Sequence, residues 1–499
     1  MQSSAAAEVT GPALRFARNS GLVTSTTRRI YPRAIAPTIS TGSWPRTISA
    51  GSGKSADRSP HSSQFQARIG KAPLNEFNRT DLASMPELGS ITARSPNEIM
   101  RIARNAVWAT CLGLQVALLA APPEFKFHYI EKDATWITSA QQCTLSDIDG
   151  DGDLDFTTGN VHKSPSLYWY EYIAADKWTR HVIGSDNDFY GGAVAMDVNG
   201  DGRPDIISSE YLFINKKGTT MPFAIGWDKY FIGTGDPYCH DMVKADINQD
   251  GKMDVITNSA VVQGEGLCWY EMTADPLKPW TKHDIGGEKY RIHAGIHPVG
   301  VGDLDGDGDL DIAAAQSWFE NVDGKGNIWK EHRHDLIGQP GPWGVAVKTH
   351  VVDLDGDGDL DIVQSECDLK DKPAGLGWLE NVDGKGTFKL HWIVPRKEVA
   401  DYHSMWVFDY DNDGDMDIMV GNGPLSTGKK TFIYENLAGR GKKPMDSDWK
   451  QHVILEGFVA HEGVIGDVDG DGDLDIVCKE WTSGSVYYLE NRLKVKAVP

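Results

Sequence analysis

Nine residues, Asp303 to Asp311, read DLDGDGDLD and crowd five aspartates into one short stretch. Asp303, Asp305, Asp307 and Asp311 take positions 1, 3, 5 and 9 of the stretch, and Gly308 takes position 6, where a sharp bend is easiest for glycine. Alternate carboxylates converge on one point when a chain curls tightly. That much like charge calls for a hard, oxygen-seeking cation such as calcium. The pattern occurs seven times, with starts at Asp147, Asp197, Asp246, Asp303, Asp353, Asp409 and Asp467, spaced 50, 49, 57, 50, 56 and 58 residues apart. The candidate ligands in the other six loops are Asp147, Asp149, Asp151 and Asp155; Asp197, Asn199, Asp201 and Asp205; Asp246, Asn248, Asp250 and Asp254; Asp353, Asp355, Asp357 and Asp361; Asp409, Asp411, Asp413 and Asp417; and Asp467, Asp469, Asp471 and Asp475. Position 7 is Arg203 in the second loop and Lys252 in the third, where only the backbone carbonyl offers an oxygen.

A period near 50 residues with strand-like runs on both sides of each loop describes a propeller blade. An apolar run enters each loop, as in VGVG before Asp303, and a second leaves it, as in LDIAAA from Leu310. An aromatic run follows, such as LYWYE (Leu167–Glu171) or GWLEN (Gly377–Asn381), and then an element of the form W-x-x-H-x-I, as in Trp178–Ile183. Four short strands make one antiparallel blade. The seventh repeat stops after YYLEN without a fourth strand, while an unpartnered FKFHYI (Phe125–Ile130) precedes the first loop. The expectation is an all-β, seven-bladed β-propeller over residues 122–499, closed by Phe125–Ile130 completing the last blade. Closure removes sheet edges that would otherwise invite aggregation.

The formal charge is −22, of which residues 1–99 contribute +6 and Arg101 with Arg104 contribute +2, leaving −30 over residues 122–499. Such acidity argues against nucleic acid or an anionic membrane surface as partner. Residues 1–99 are rich in Ser, Ala, Arg, Pro and Gly without periodicity, as a disordered prefix would be. Met100 opens MRIARNAVWATCLGLQVALLAAPPEF, with a basic start, an apolar run and small residues before Pro122. This is the three-part form of a secretory signal over residues 100–121, with translation starting at Met100. The expected location is extracytoplasmic, periplasmic or extracellular, with no stable membrane insertion. Six cysteines show no paired spacing.

The loops at Asp147, Asp303, Asp353, Asp409 and Asp467, with the runs around them, resemble FG-GAP/VCBS repeats, the calcium-loop blades also found in the integrin α-subunit head. The resemblance implies a seven-bladed propeller with up to seven structural calcium ions in the first hairpins. It implies no single function, because such propellers serve as adhesins, lectin-like modules and carbohydrate-active enzymes.

A repeat separates scaffold from site. His128, His181, His283, His332, His391 and His452 recur in one slot of the fourth strand and read as scaffold, as does the row Trp169, Trp269, Trp318 and Trp378. Residues that break the repeat cluster at the other end of the first hairpin, where the first strand should line the channel mouth opposite the calcium loops. They are His240, His297, His403 and His461 before the loops, and Glu210, Gln316, Glu366, Asn422 and Glu480 after them, with Tyr290, Arg291, His293 and Trp343 in adjoining loops. Neutral histidines with a glutamate can hold an additional divalent metal. Alternatively, the four histidines with Tyr290 as acid can act on a uronate whose carboxylate Arg291 binds, which is lyase chemistry. Propeller polysaccharide lyases and sugar dehydratases are similar in outline. The sequence therefore supports a carbohydrate-directed propeller, either a carbon–oxygen lyase on a polysaccharide or a non-catalytic module that binds a cell-surface glycan and uses calcium for stability alone.

Overall fold

The computed structural model of the chain describes residues 123–137, 140–160, 166–184, 191–216, 226–235, 239–259, 266–287, 295–482 and 484–493. The prefix and the signal-like segment lie outside these residues, as do Tyr290, Arg291 and His293.

Among the described residues seven blade sheets form, one for each acidic loop, beside a separate two-stranded ribbon of Pro340–Gly341 and Gly344–Val345. In blade 1 the strands Ala140–Ser146, Asp155–Asn160, Leu167–Ala174 and Lys177–Gly184 pair in sequence order, and the other blades repeat that order. Blade 7 takes three strands from the C-terminal repeat (His461–Gly466, Asp475–Lys479 and Gly484–Asn491), and Phe125–Ala134 supplies the fourth. The closing strand pairs antiparallel with Gly484–Asn491, from Phe125 opposite Asn491 to Ala134 opposite Gly484. The chain is a seven-bladed propeller closed by its N-terminal strand, which extends past Ile130 to Ala134. Among the described residues no helix is long and apolar enough to cross a membrane.

The core lies between blades. Seven apolar clusters sit at the seven interfaces of neighbouring blades, including Phe156, Tyr170, Val477 and Tyr488 between blades 7 and 1, and Ile256, Trp269, Ile312 and Phe319 between blades 3 and 4. The tryptophan row packs there as the repeat suggests. Trp269 donates its indole hydrogen to the Gly326 carbonyl of blade 4 at 2.9 Å. A Cβ on Gly326 would fall 2.5 Å from Trp269, and one on Gly386 would fall 2.3 Å from Trp318, so both sites exclude a side chain. On the other face of each tryptophan the fourth-strand histidine stacks, at 4.1–4.6 Å for His181, His283, His332 and His391. The third-strand glutamate fixes each ring through Nε2, as Glu171 fixes His181 at 2.7 Å and Glu320 fixes His332 at 2.6 Å. These histidines are scaffold.

The asparagine that ends the third strand latches one blade to the one before it. Asn215, Asn321, Asn381 and Asn491 each donate Nδ2 to the position-2 carbonyl of the preceding acidic loop, Ile148, Ile247, Leu304 and Tyr410 respectively.

Blade 4 departs from the pattern. Val301–Gly302 pairs within its own blade, but Pro298–Val299 pairs in parallel with Thr349 and His350 of blade 5. Pro298 has no amide hydrogen for a ladder. The His297 carbonyl accepts the Thr349 amide at 2.9 Å, so the start of this first strand is drawn onto its neighbour.

Candidate functional site

Each acidic loop joins the first and second strands, with the position-9 aspartate opening the second strand. In the first loop Asp147 accepts the amides of Gly150, Asp151 and Gly152, and Asp151 accepts that of Asp153, which curls the chain so that carboxylates face inward. The glycine at position 6 takes φ between +85° and +105° in all seven loops, which a residue with a Cβ rarely adopts. Ligand atoms of Asp147, Asp149 and Asp155 lie within 4.8 Å of one another, as do those of Asp303, Asp305 and Asp311.

Position 9 does more than the spacing suggests. Asp155 is buried and accepts the Ile148 amide on one oxygen and the Tyr172 amide on the other, at 2.9 and 3.0 Å. Asp205, Asp254, Asp311, Asp361, Asp417 and Asp475 repeat the arrangement, so each carboxylate also ties its loop to the third strand.

Position 7 carries the clearest sign of a missing partner. Asp153, Asp309, Asp359, Asp415 and Asp473 each hold a buried side-chain oxygen with no hydrogen-bond donor. Burial and the adjacent carboxylates push Asp153, Asp415 and Asp473 up to about 7, and Asp309 and Asp359 up to about 6. Orphaned, converging carboxylate oxygens are what a calcium ion satisfies, so these five loops fit the ion.

The first strands are innermost: that of blade 1 touches those of blades 2 and 7, and that of blade 6 touches those of blades 5 and 7. The ends remote from the acidic loops meet in a buried, charged cluster. Lys348 of blade 5, 2 % exposed, donates to Glu462 of blade 7 at 2.6 Å and lies 3.5 Å from Asp241 of blade 3. His240 Nδ1 is 2.9 Å from Asp241. His297 Nδ1 and His403 Nδ1 each lie 3.3 Å from a different Glu462 oxygen, and His403 Nε2 lies 3.6 Å from Asp368. The His461 ring stacks on His403 at 4.1 Å, and Lys479 reaches His461 Nδ1 at 3.2 Å. Gln142 of blade 1 spans to blade 3, bonding the amide and carbonyl of Met242 at 2.7 and 2.6 Å. The four histidines thus come together, but inside the channel wall rather than on an open rim.

The electrostatics are one-sided in places. Burial opposes charge on Lys348, yet Asp241 and Glu462 hold its ammonium above the usual range. Burial likewise opposes Glu462 and Asp241, but Lys348 holds both below theirs. For His403, Asp368 and Glu462 outweigh burial and push it up to about 10. Burial lowers His297 to about 4, and with His403 and Lys479 nearby it holds His461 well below normal. A charged His403 therefore sits between neutral His297 and His461. His403 Nδ1 and Glu462 Oε2 have no well-directed partner, although both are buried.

Sequence reasoning missed Asp241, Lys348 and Glu462, each one residue beyond the position examined for repeat-breaking residues. In a regular strand, neighbours face opposite sides. Here the ladder slips between Cys239 and Asp241 and between His461 and Val464, and these bulges let consecutive residues share the channel, whereas Lys348 sits in an unbroken ladder. Glu462 lies at φ +58°, a conformation unfavourable for a residue with a Cβ. The visible signal was a charged residue at the second or third position of three first strands.

The bonds of the second predicted set run elsewhere. Glu366 is clamped by Arg396 at 2.6 and 2.8 Å and accepts the amides of Gly338 and Gly375. Gln316 donates to Gly338, Glu480 accepts the Ser485 amide, and the Glu210 carbonyl accepts the amides of Ile232 and Gly233. Asn422 lines a groove of 540 Å³ with Tyr402, Phe432 and Trp449. Trp343 stands 41 % exposed before the first strand of blade 5. Trp481, 36 % exposed after the second strand of blade 7, stacks on His461 with ring centres 6.0 Å apart and was not singled out from sequence.

Residues 147–208 and 246–314 match the FG-GAP-like repeat family. No curated protein matches the chain. Solved structures that resemble it include BBS1N in complex with ARL6DN, 11 % identical over 72 % of this chain and 95 % of that one, with a TM-score of 0.44. Another is the NanB sialidase of Streptococcus pneumoniae, 11 % identical over 73 % of this chain and 70 % of that one, with a TM-score of 0.38.

Proposed function

We propose that this seven-bladed propeller with FG-GAP-like repeats is an extracytoplasmic, calcium-stabilised protein that takes an acidic polysaccharide at the channel end remote from the acidic loops and cleaves it by β-elimination. The observation that carries the reading is the convergence of His240, His297, His403 and His461 on Asp241, Lys348 and Glu462. Elimination beside a uronate needs a neutral base, a cation near the carboxylate and a proton donor for the leaving oxygen. Burial holds His297 neutral, 3.3 Å from Glu462 through Nδ1, so one of its ring nitrogens carries the lone pair of a base. His403 supplies a held proton, and Lys348 a fixed positive charge. Tyr290, Arg291 and His293 remain candidates for the acid and for carboxylate binding.

His403, His461 and Glu462 also bring ligand atoms within 4.8 Å of one another, the spacing a divalent metal would use. Lys348 and Lys479 already bond two of these residues, so a metal would have to sit against two ammonium groups. The donor set favours proton transfer.

A second reading has its own support. Lys348 and His403 are neutralised by Asp241, Glu462 and Asp368, while Trp343 and Trp481 expose flat rings at the same end. That arrangement also suits a module that binds a glycan without cleaving it. An ultraviolet assay for the unsaturated product on a panel of uronic-acid polysaccharides separates the two. Absorbance that rises with the parent protein and is lost in His297→Ala and Glu462→Gln supports the lyase. Flat traces on every polysaccharide, with glycan-array binding that Trp481→Ala abolishes, support the binding module.

A further inference from the structure

We infer that the propeller takes five calcium ions rather than seven, because Arg203 and Lys252 are resident cations that occupy the second and third loops. The inference rests on the calcium reading of the other five. Arg203 Nη2 lies 2.7 Å from Asp201 Oδ2 and 2.9 Å from the Asn215 carbonyl. Lys252 Nζ lies 3.1 Å from Asp250 Oδ2 and 3.5 Å from the Met272 carbonyl. The position-5 carboxylate is a ligand that a bound calcium would use, and in these loops the chain's own cation already holds one of its oxygens.

The other loops contrast at the same position. Asp415 is 6 % exposed with both oxygens unpartnered, and Asp473 is 2 % exposed with one unpartnered. Asp153, Asp309 and Asp359 repeat the orphaned oxygen. Each of those loops carries five aspartates, whereas the second and third carry three aspartates, an asparagine at position 3 and a cation. In the second loop the Asn199 amide also donates to Asp201, at 3.3 Å. In the third, Lys325 of blade 4 adds another ammonium, 2.8 Å from the Asn248 carbonyl. The turn itself is kept, with Gly202 and Gly251 at φ +85° and +87°. The two loops therefore fold as the others do, with a partly exposed ion pair in place of an exchangeable metal.

The test is equilibrium dialysis of the full chain against about 10 mM calcium, above the range of extracellular sites of this type, with bound metal counted by mass spectrometry. Five ions per chain are expected, rising to six in Arg203→Asp or Lys252→Asp and to seven in the double variant. Seven ions in the parent would overturn the inference and leave the calcium reading intact, whereas none would overturn both. Five ions in the double variant would show that the two cations are not what excludes the metal. Arg203→Met and Lys252→Met provide a control that keeps the proposal testable if the aspartate variants do not fold. Each should lower the melting temperature equally with calcium and with chelator. A loss seen only with calcium would overturn the idea.

Discussion

Lys348 and Glu462 meet across the channel from blades 5 and 7, with Nζ 2.6 Å from Oε1 and both side chains almost wholly removed from water. Asp241 completes the set from blade 3, so three blades are joined by one ammonium and two carboxylates. Pairs of this kind add little net stability compared with well-packed apolar groups, but losing one member is severe. Lys348→Met should cost about 3–5 kcal/mol, because two buried carboxylates lose their counter-charge. Adding Asp241→Asn and Glu462→Gln should restore part of that loss. Urea unfolding of the single and triple variants measures both, and equal midpoints for Lys348→Met and parent would refute the assignment.

The buried histidines make stability depend on pH from both sides. Burial lowers His297 to about 4 and His350 to about 3, where an unfolded histidine titrates near 6.5. Between those values the unfolded state binds more protons, so stability falls as pH drops below about 6.5, by up to about 1.4 kcal/mol per pH unit for each histidine. His403 has the opposite sign. Its folded value is raised to about 10, so its contribution is complete below about 6.5 and disappears as pH rises toward 10. Melting curves at saturating calcium should show a maximum between these limits, and His350→Gln should flatten the acid side alone. An acid slope unchanged by that substitution would contradict the assignment.

Calcium removal should act on the scaffold. At free calcium tenfold above a dissociation constant of about 10⁻⁴–10⁻³ M, each site contributes about 1.4 kcal/mol, and five contribute about 7 kcal/mol. That is comparable with the whole stability of an ordinary domain. Excess chelator should lower the melting temperature sharply and readdition of calcium should restore it. A melting curve indifferent to chelator would remove calcium from the structural account.

The fold was legible because its signals are local and repeated. The Gly at position 6, the third-strand glutamate beneath each histidine and the unpaired FKFHYI at the start each recur or stand out by type alone. The channel cluster was half legible. His240, His297, His403 and His461 broke the repeat and were found, but Asp241 and Glu462 were missed because a bulge has no residue signature that period-2 reasoning detects, and Lys348, in an unbroken ladder, follows the unremarkable Val347. Glu366 was picked out by its position after the loop, but nothing in the repeat indicated that Arg396 would clamp it.

Ring closure rests on the strand Phe125–Ala134, which holds two blades at once. His128, buried within it, binds Glu490 of blade 7 through Nε2 at 2.7 Å and Asp176 of blade 1 through Nδ1 at 2.6 Å. Glu131 accepts hydrogen bonds from Tyr170 and Arg180 of blade 1, both at 2.8 Å. Removing the chain up to Thr135 would leave Gly484–Asn491 as an open edge and uncover the interface between blades 7 and 1. The shortened protein should melt lower and aggregate on heating, since an unpaired apolar edge recruits other chains. A synthetic peptide spanning residues 123–135 should bind that edge by strand addition and recover part of the lost melting temperature. The same peptide with His128→Ala should recover less, because it loses the buried bridge from Glu490 to Asp176 and keeps only the Glu131 contacts with blade 1. A shortened chain that melts like the parent would mean the ring holds without its closing strand.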